Sequence, residues 1–442
     1  MNPANQKQLT YITAGAAGMY CGSCMHDNTL ARALNEAGCD TLLVPTYTPI
    51  RSDEEDVAVD QVFFGGINVF LQQKIPLFRH VPKLLDRFLD QPWLIRKVTS
   101  RAIETDGKLL GSLTESMLRG SAGNQRKEVR RLVSWLRDTA RPDVVILSNM
   151  LISGFVRELK QQLDVPIIVT LQGDDIFLES LVEPWHSRCI QLISELDEHV
   201  DRYMVHSRFY ADFMADYLQL DHAKMRITPL GIDTSDFASE STSAPADDSS
   251  VTIGYLARLT EDKGLHHLVS AFLELKKDPK LHHVQLKIAG WLGRDHEAFA
   301  EEQFARMRDA GLEDQFEYLG SIERADKLQM LRDIDVLCVP TEYCEPKGLY
   351  VLEAMAAGVP VVQPAHGVFP ELLEDLDGGL LFEPGNLTDL CNKLRQLIDD
   401  AALRQQQGAT GRARVLESRN GSAMAAATLD VVDELLDASD SG

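Results

Sequence analysis

Within residues 342–371 two glutamates, Glu345 and Glu353, stand eight apart on either side of the turn Pro346-Lys347-Gly348. The run Leu349 to Ala357 that follows favours a helix and stops at Gly358-Val359-Pro360, where an apolar strand over Val359 to Val362 begins. A helix that starts after a glycine turn presents unpaired N–H groups and the positive end of its dipole, which suits a phosphate. Carboxylates repel phosphate but accept hydrogen bonds from sugar hydroxyls. With Glu345 before the helix and Glu353 inside it, hydroxyl acceptors flank a phosphate seat formed around Lys347, Gly348, Leu349 and Tyr350. A sugar nucleotide carries both kinds of group. The plain alternative is a charged loop whose glutamates fall there by chance.

Two cations stand at the start of the second half, in Gly254-Tyr-Leu-Ala-Arg258-Leu-Thr-Glu-Asp-Lys263-Gly264. A strand ending near Leu256 leaves Arg258 and Lys263 in the loop outside its carboxyl end, the edge where open α/β sheets bind ligands. The Glu345 loop follows a strand ending at Pro340 and lies on the same edge. Arg258 offers a planar fork and Lys263 a point charge, and both suit a diphosphate. Asp333-x-Asp335 sits at a helix-to-strand junction and reads as structural, so no metal ligands are assigned.

The elements that position these groups alternate between strand and helix. Tyr11-Ile-Thr-Ala runs into a small-residue loop, in which Gly15, Gly18 and Gly22 compete for a close backbone approach. A helix over Asn28 to Ala37 follows, with Asp27 and Asn28 as caps or as acceptor contacts. Strands are expected at Thr41 to Val44, Val144 to Leu147, Ile167 to Leu171 and Arg202 to Val205. Apolar on both faces, they require a parallel sheet covered on both sides. Residues 238–250 are small and polar and read as a linker. Strands then recur at Thr252 to Leu256, Gln285 to Ala289, Phe316 to Leu319 and Val336 to Pro340, with helices near 265–276, 295–310 and 323–333. A last helix, 422–436, places Met424, Thr428, Val431, Val432 and Leu435 on one face.

The segment from Glu345 to Glu371, with Arg258, Lys263 and Ala289-Gly290, resembles the Glu-x7-Glu region of retaining family-4 glycosyltransferases (glycosyl transferases group 1). The resemblance implies the α/β GT-B fold: two Rossmann-like, doubly wound domains facing across a cleft, with a C-terminal helix crossing back to the first. The domains would be 1–235 on the acceptor side, 251–415 for the nucleotide sugar, and 416–442 for the returning helix. It further implies a sugar transferred from a nucleotide-diphosphate donor, by default a UDP-sugar, to an acceptor hydroxyl, without metal or cofactor. Arg258, Lys263 and Glu345 would be catalytic, and Gly290, Lys347, Gly348, Leu349, Tyr350 and Glu353 would bind donor, Glu353 through the ribose. Gly18, Gly22, Asn28 and Gln172 would lie on the acceptor side. Gln172 stands where many relatives carry His and cannot hold a proton, which excludes a general base there and favours front-face attack. A protein that binds a nucleotide sugar without transferring it is the alternative reading.

The net charge of −23 over 442 residues argues against a general nucleic-acid binder. Residues 71–141 run the other way, with five Lys and ten Arg against seven Asp and Glu. A basic helical insertion near 76–140 could touch anionic membrane lipid or an acidic acceptor. No apolar run approaches the roughly 18 residues of a membrane span, and Met1 to Gln8 lacks a leader's plan, so the expected location is the cytoplasm. Seven scattered cysteines read as reduced thiols, Cys21-x-x-Cys24 included. A nicotinamide enzyme is disfavoured because the first loop lacks a clean G-x-G-x-x-G.

Overall fold

The computed structural model describes residues 6–15, 22–50, 54, 56–59, 63, 73, 107–238 and 250–440. They form two compact units, Met1–Pro229 with Gly421–Gly442, and Leu230–Asn420.

The first unit is built on a parallel sheet of β1 (Gln8–Thr13), β2 (Asp40–Pro45), β3 (Val144–Leu147), β4 (Ile167–Thr170), β5 (Arg202–Val205) and β6 (Met225–Ile227), in the order β2-β1-β3-β4-β5-β6. Alternation along the strands sends Ile12, Val145, Leu147, Ile167 and Val169 into one core and Leu9, Tyr11, Val144, Ile146 and Ile168 into another. Both faces are therefore covered, as all-parallel sheets require. The second core is closed by the helices Gly22–Glu36 and Gly421–Asp440. On the latter, Met424, Thr428, Val431, Val432 and Leu435 are all buried. Thr428 fits this apolar stripe because its hydroxyl donates to the Met424 carbonyl at 2.9 Å.

One expectation needs correction, and one strand was not expected. The helix begins at Gly22, so Asp27 and Asn28 lie inside it as buried residues and cap nothing. Strand β6 carries no periodicity that would announce it: it is three residues long with no buried position.

The second unit contains β7 (Val251–Leu256), β8 (Val284–Ala289), β9 (Phe316–Tyr318), β10 (Val336–Cys338), β11 (Val361–Pro364) and β12 (Gly379–Phe382), ordered β12-β11-β10-β7-β8-β9 and all parallel. Counted from β7, this is the doubly wound order 3-2-1-4-5-6, whose direction reverses between β7 and β10. The loops leaving those two strands carry Lys263 and Glu345. Helices Leu387–Asp399 and Ala401–Ser418 complete the unit and were not anticipated. The proposed linker falls mostly on 239–249, outside the described residues. Among the described residues, no helix is long and apolar enough to cross a membrane.

Candidate functional site

Lys263 and Glu345 meet at the point where the strand order reverses. The Lys263 ammonium donates to Glu345 Oε2 at 2.7 Å and to the Tyr343 hydroxyl, which itself donates to Glu345 Oε2 at 2.7 Å. The ammonium also lies 4.7 Å from the Tyr343 ring centre and 5.5 Å from that of Tyr350, within cation–π range. Both Lys263 and Glu345 are buried. Burial pushes the Glu345 carboxyl up, but the charge and hydrogen bond of Lys263, with the Tyr343 bond, hold it below its ordinary value. Burial and the facing Glu345 push the Tyr343 phenol well up, so it remains a donor.

The local backbone fixes this meeting. The Tyr255 hydroxyl donates to the carbonyls of Arg258 at 3.0 Å and Lys263 at 3.3 Å, pinning the loop at both ends. Gly264 follows Lys263 with φ +72°, and a Cβ there would stand 1.8 Å from the Pro340 carbonyl oxygen, so only glycine lets the two loops approach. Arg258 takes a different place: it is exposed, 3.7 Å from Asp262, and outside the Lys263 cluster.

The helix Leu349–Ala356 starts after Gly348 with no side-chain cap on its N-terminus, leaving its first N–H groups as an anion seat. Lys347 and Gly348 are buried, whereas Leu349 and Tyr350 are half-buried. Gly290, at the end of β8, has φ +149°, and a Cβ there would lie 1.7 Å from the Ala257 carbonyl oxygen. It brings that loop against the one carrying Arg258. Glu353 is buried and accepts from Lys327 Nζ at 2.6 Å, a lysine on the helix Arg324–Asp333. Tyr343 and Lys327 were missed by the sequence reading. Tyr343 lies within the quoted segment, but nothing in the pattern around Lys327 sets it apart from a solvated helix lysine.

In the first unit, Asp27 is the centre of a sealed polar cluster. It accepts from Tyr11 at 2.8 Å, Thr13 at 2.6 Å and Gln172 Nε2 at 2.9 Å, with His26 Nδ1 at 3.1 Å. Gln172 Nε2 also donates to the Ser148 carbonyl at 2.9 Å, so its amide ties β3 and β4 to the helix. Asn28 accepts the Val57 N–H at 3.0 Å. Gly22 is the first residue of the helix, and Gly18 lies outside the described residues. Burial pushes the Asp174 carboxyl up to about 7, against the opposing N–H bonds from Met150 and Gln172. Asp333 pairs with Lys287 at 2.9 Å and Asp335 accepts the Thr252 N–H at 2.8 Å, so both serve the fold.

Residues 236–414 match the family model of glycosyl transferases group 1, and residues 115–236 that of glycosyltransferase family 4. The glycogen synthase of Mycobacterium tuberculosis is 26% identical over 324 residues, 70% of this chain and 72% of that one. The sucrose-phosphate synthase of Thermosynechococcus elongatus superposes with a TM-score of 0.70 at 17% identity, over 98% of this chain and 100% of its own. HepE of Anabaena, solved in complex with UDP, superposes with a TM-score of 0.67 at 15% identity, over 97% of this chain and 100% of its own. These likenesses show the GT-B fold.

Proposed function

We propose, for a chain that belongs to the family-4 glycosyltransferases (glycosyl transferases group 1), transfer of a sugar from a UDP-sugar to an acceptor hydroxyl with retention of configuration and without a catalytic metal. The observation that carries this reading is the Lys263–Glu345 contact at the reversal of strand order, beside an uncapped helix N-terminus. Cleavage of the anomeric bond puts negative charge on the leaving diphosphate and positive charge on the sugar ring. An ammonium has three N–H donors. Lys263 directs two at Glu345 and Tyr343, and the third would serve a phosphate oxygen of the donor. The N–H groups at Gly348 to Tyr350 add preorganised donors, the exposed Arg258 would join them only by swinging in on the diphosphate, and Glu345 meets the sugar. Glu353, held by Lys327, takes the ribose. Gln172 spends its amide on Asp27 and Ser148, which supports a route in which the leaving phosphate accepts the acceptor's proton. The UDP bound to HepE supports uracil as the base.

A mass-spectrometric panel of UDP-, GDP- and ADP-sugars tests this. We expect slow hydrolysis of a UDP-sugar, cut by about two to three orders of magnitude in Lys263→Ala, as for loss of one oxyanion-type donor. Binding of a nucleotide sugar without any turnover would instead establish the non-catalytic alternative.

A further inference from the structure

We propose that His266, His267 and Glu342 form a binding site for one divalent transition-metal ion of the zinc class, separate from the Lys263–Glu345 centre. His266 and His267 occupy the first turn of the helix Leu265–Leu275, and Glu342 lies in the loop leaving β10. The Nε2 atoms of the two imidazoles converge on a single carboxylate oxygen, Glu342 Oε1, at 3.0 Å and 2.9 Å. One ligand atom from each residue lies within 4.8 Å of the other two. These separations are close to those spanned by ligands about 2 Å from a common zinc, so small rotations of exposed side chains close the site. Two imidazole nitrogens and one carboxylate oxygen suit zinc and its neighbours, and poorly suit magnesium or calcium, which take oxygen ligands. All three side chains are partly exposed, which leaves an entry path and open positions for water.

The Glu342 backbone N–H donates to the Asp262 backbone carbonyl at 2.9 Å, which holds the Glu342 segment against the turn that precedes the two histidines. The positive end of the helix opposes the ion, and the Glu342 carboxylate offsets it. The consequence is mechanical. Lys263 immediately precedes this helix and Tyr343 immediately follows Glu342, so the ion would clamp together the two segments that place Lys263 against Glu345.

The test uses the tag-free full-length chain, treated with chelator, desalted and titrated with Zn2+ by calorimetry and with Co2+ by visible absorption. We expect one equivalent bound with a Kd below about 100 µM, and a rise in Tm on binding. Glu342→Gln and His267→Gln, both shape-conserving and checked by circular dichroism, should each weaken binding tenfold or more. Cys24→Ser should leave it unchanged, which separates this site from the Cys21–Cys24 pair. Binding weaker than that limit in the native chain, or a loss of less than tenfold in the two site variants, overturns the proposal.

Discussion

Lys327 holds one end of a buried ion pair whose other end, Glu353, is the proposed ribose contact, and removing either partner has a different signature. Lys327→Met leaves Glu353 buried without its counter-charge, which typically costs about 3–5 kcal/mol. Both Tm and donor affinity should fall. Glu353→Ala should raise the donor Kd with little change in turnover, because a ribose contact is made equally in ground and transition states. In the double variant Lys327→Met with Glu353→Met, stability should return while donor affinity stays low, a non-additivity a double-mutant cycle measures. If Glu353→Ala lowers turnover and leaves donor affinity untouched, the ribose assignment is wrong. The order of Arg258, Lys263, Glu345 and Glu353 along the chain was legible because motif spacing encodes it. The partners of those residues were not. Lys327 reaches Glu353 from a helix 26 positions away in sequence, and Tyr343 becomes a donor to Glu345 only because folding turns the two side chains towards each other.

The C-terminal helix Gly421–Asp440 is fixed to the first unit by two kinds of contact. Its apolar stripe was readable from helical spacing, because one buried face imposes a 3.6-residue period. Its polar tether was not. Glu434 receives Arg202 at 2.6 Å and Arg226 at 2.6 Å, one arginine from each of the two last strands of the sheet. Hydrogen bonds from Arg226 and Arg202 hold the Glu434 carboxyl down at about 2. A carboxylate with a lowered folded-state value stabilises above its unfolded value and loses that contribution as pH falls through the folded one. Glu434 is 37% exposed, so after solvent screening the tether contributes about 1 kcal/mol or less. Glu434→Gln should therefore lower Tm at pH 7 by about 2 °C. That difference should shrink as pH drops from about 4.5 through about 2, the folded-state value, below which both proteins carry a neutral side chain. A Tm gap that persists unchanged at pH 2 would mean the effect is packing and not charge. By contrast Met424→Ala, which empties part of the stripe, should cost about 2–5 kcal/mol at every pH.

Charge is distributed unevenly over the whole chain, and the basic stretch 71–141 is where an anionic lipid surface would act if the acceptor is membrane-bound. The helix Arg126–Trp135 is amphipathic as its sequence requires, with Val129, Leu132 and Val133 buried, but its arginines are not equivalent. Arg131 pairs with the buried Glu128 at 3.1 Å and donates to the Phe63 carbonyl, so it supports the fold. Arg137 pairs with Asp138 at 2.8 Å and is largely neutralised. Arg126 and Arg130 point outward. At about 1 kcal/mol per basic residue near an anionic surface, these two contribute about 2 kcal/mol, too little to hold a chain of net charge −23 on a membrane. If the chain docks on lipid, the other basic residues of the stretch carry the larger share, among them Arg79, Arg87, Arg96 and Lys97, which lie outside the described residues. We expect the chain to associate with phosphatidylglycerol vesicles at low salt and to dissociate as ionic strength rises. Reversing Arg126 and Arg130 to Glu should weaken association less than tenfold, whereas reversing Arg79, Arg87 and Arg96 should abolish it without affecting UDP-sugar hydrolysis in solution. Equal losses from the two sets would place docking on the described helix instead, and no association at low salt would point to a soluble acceptor.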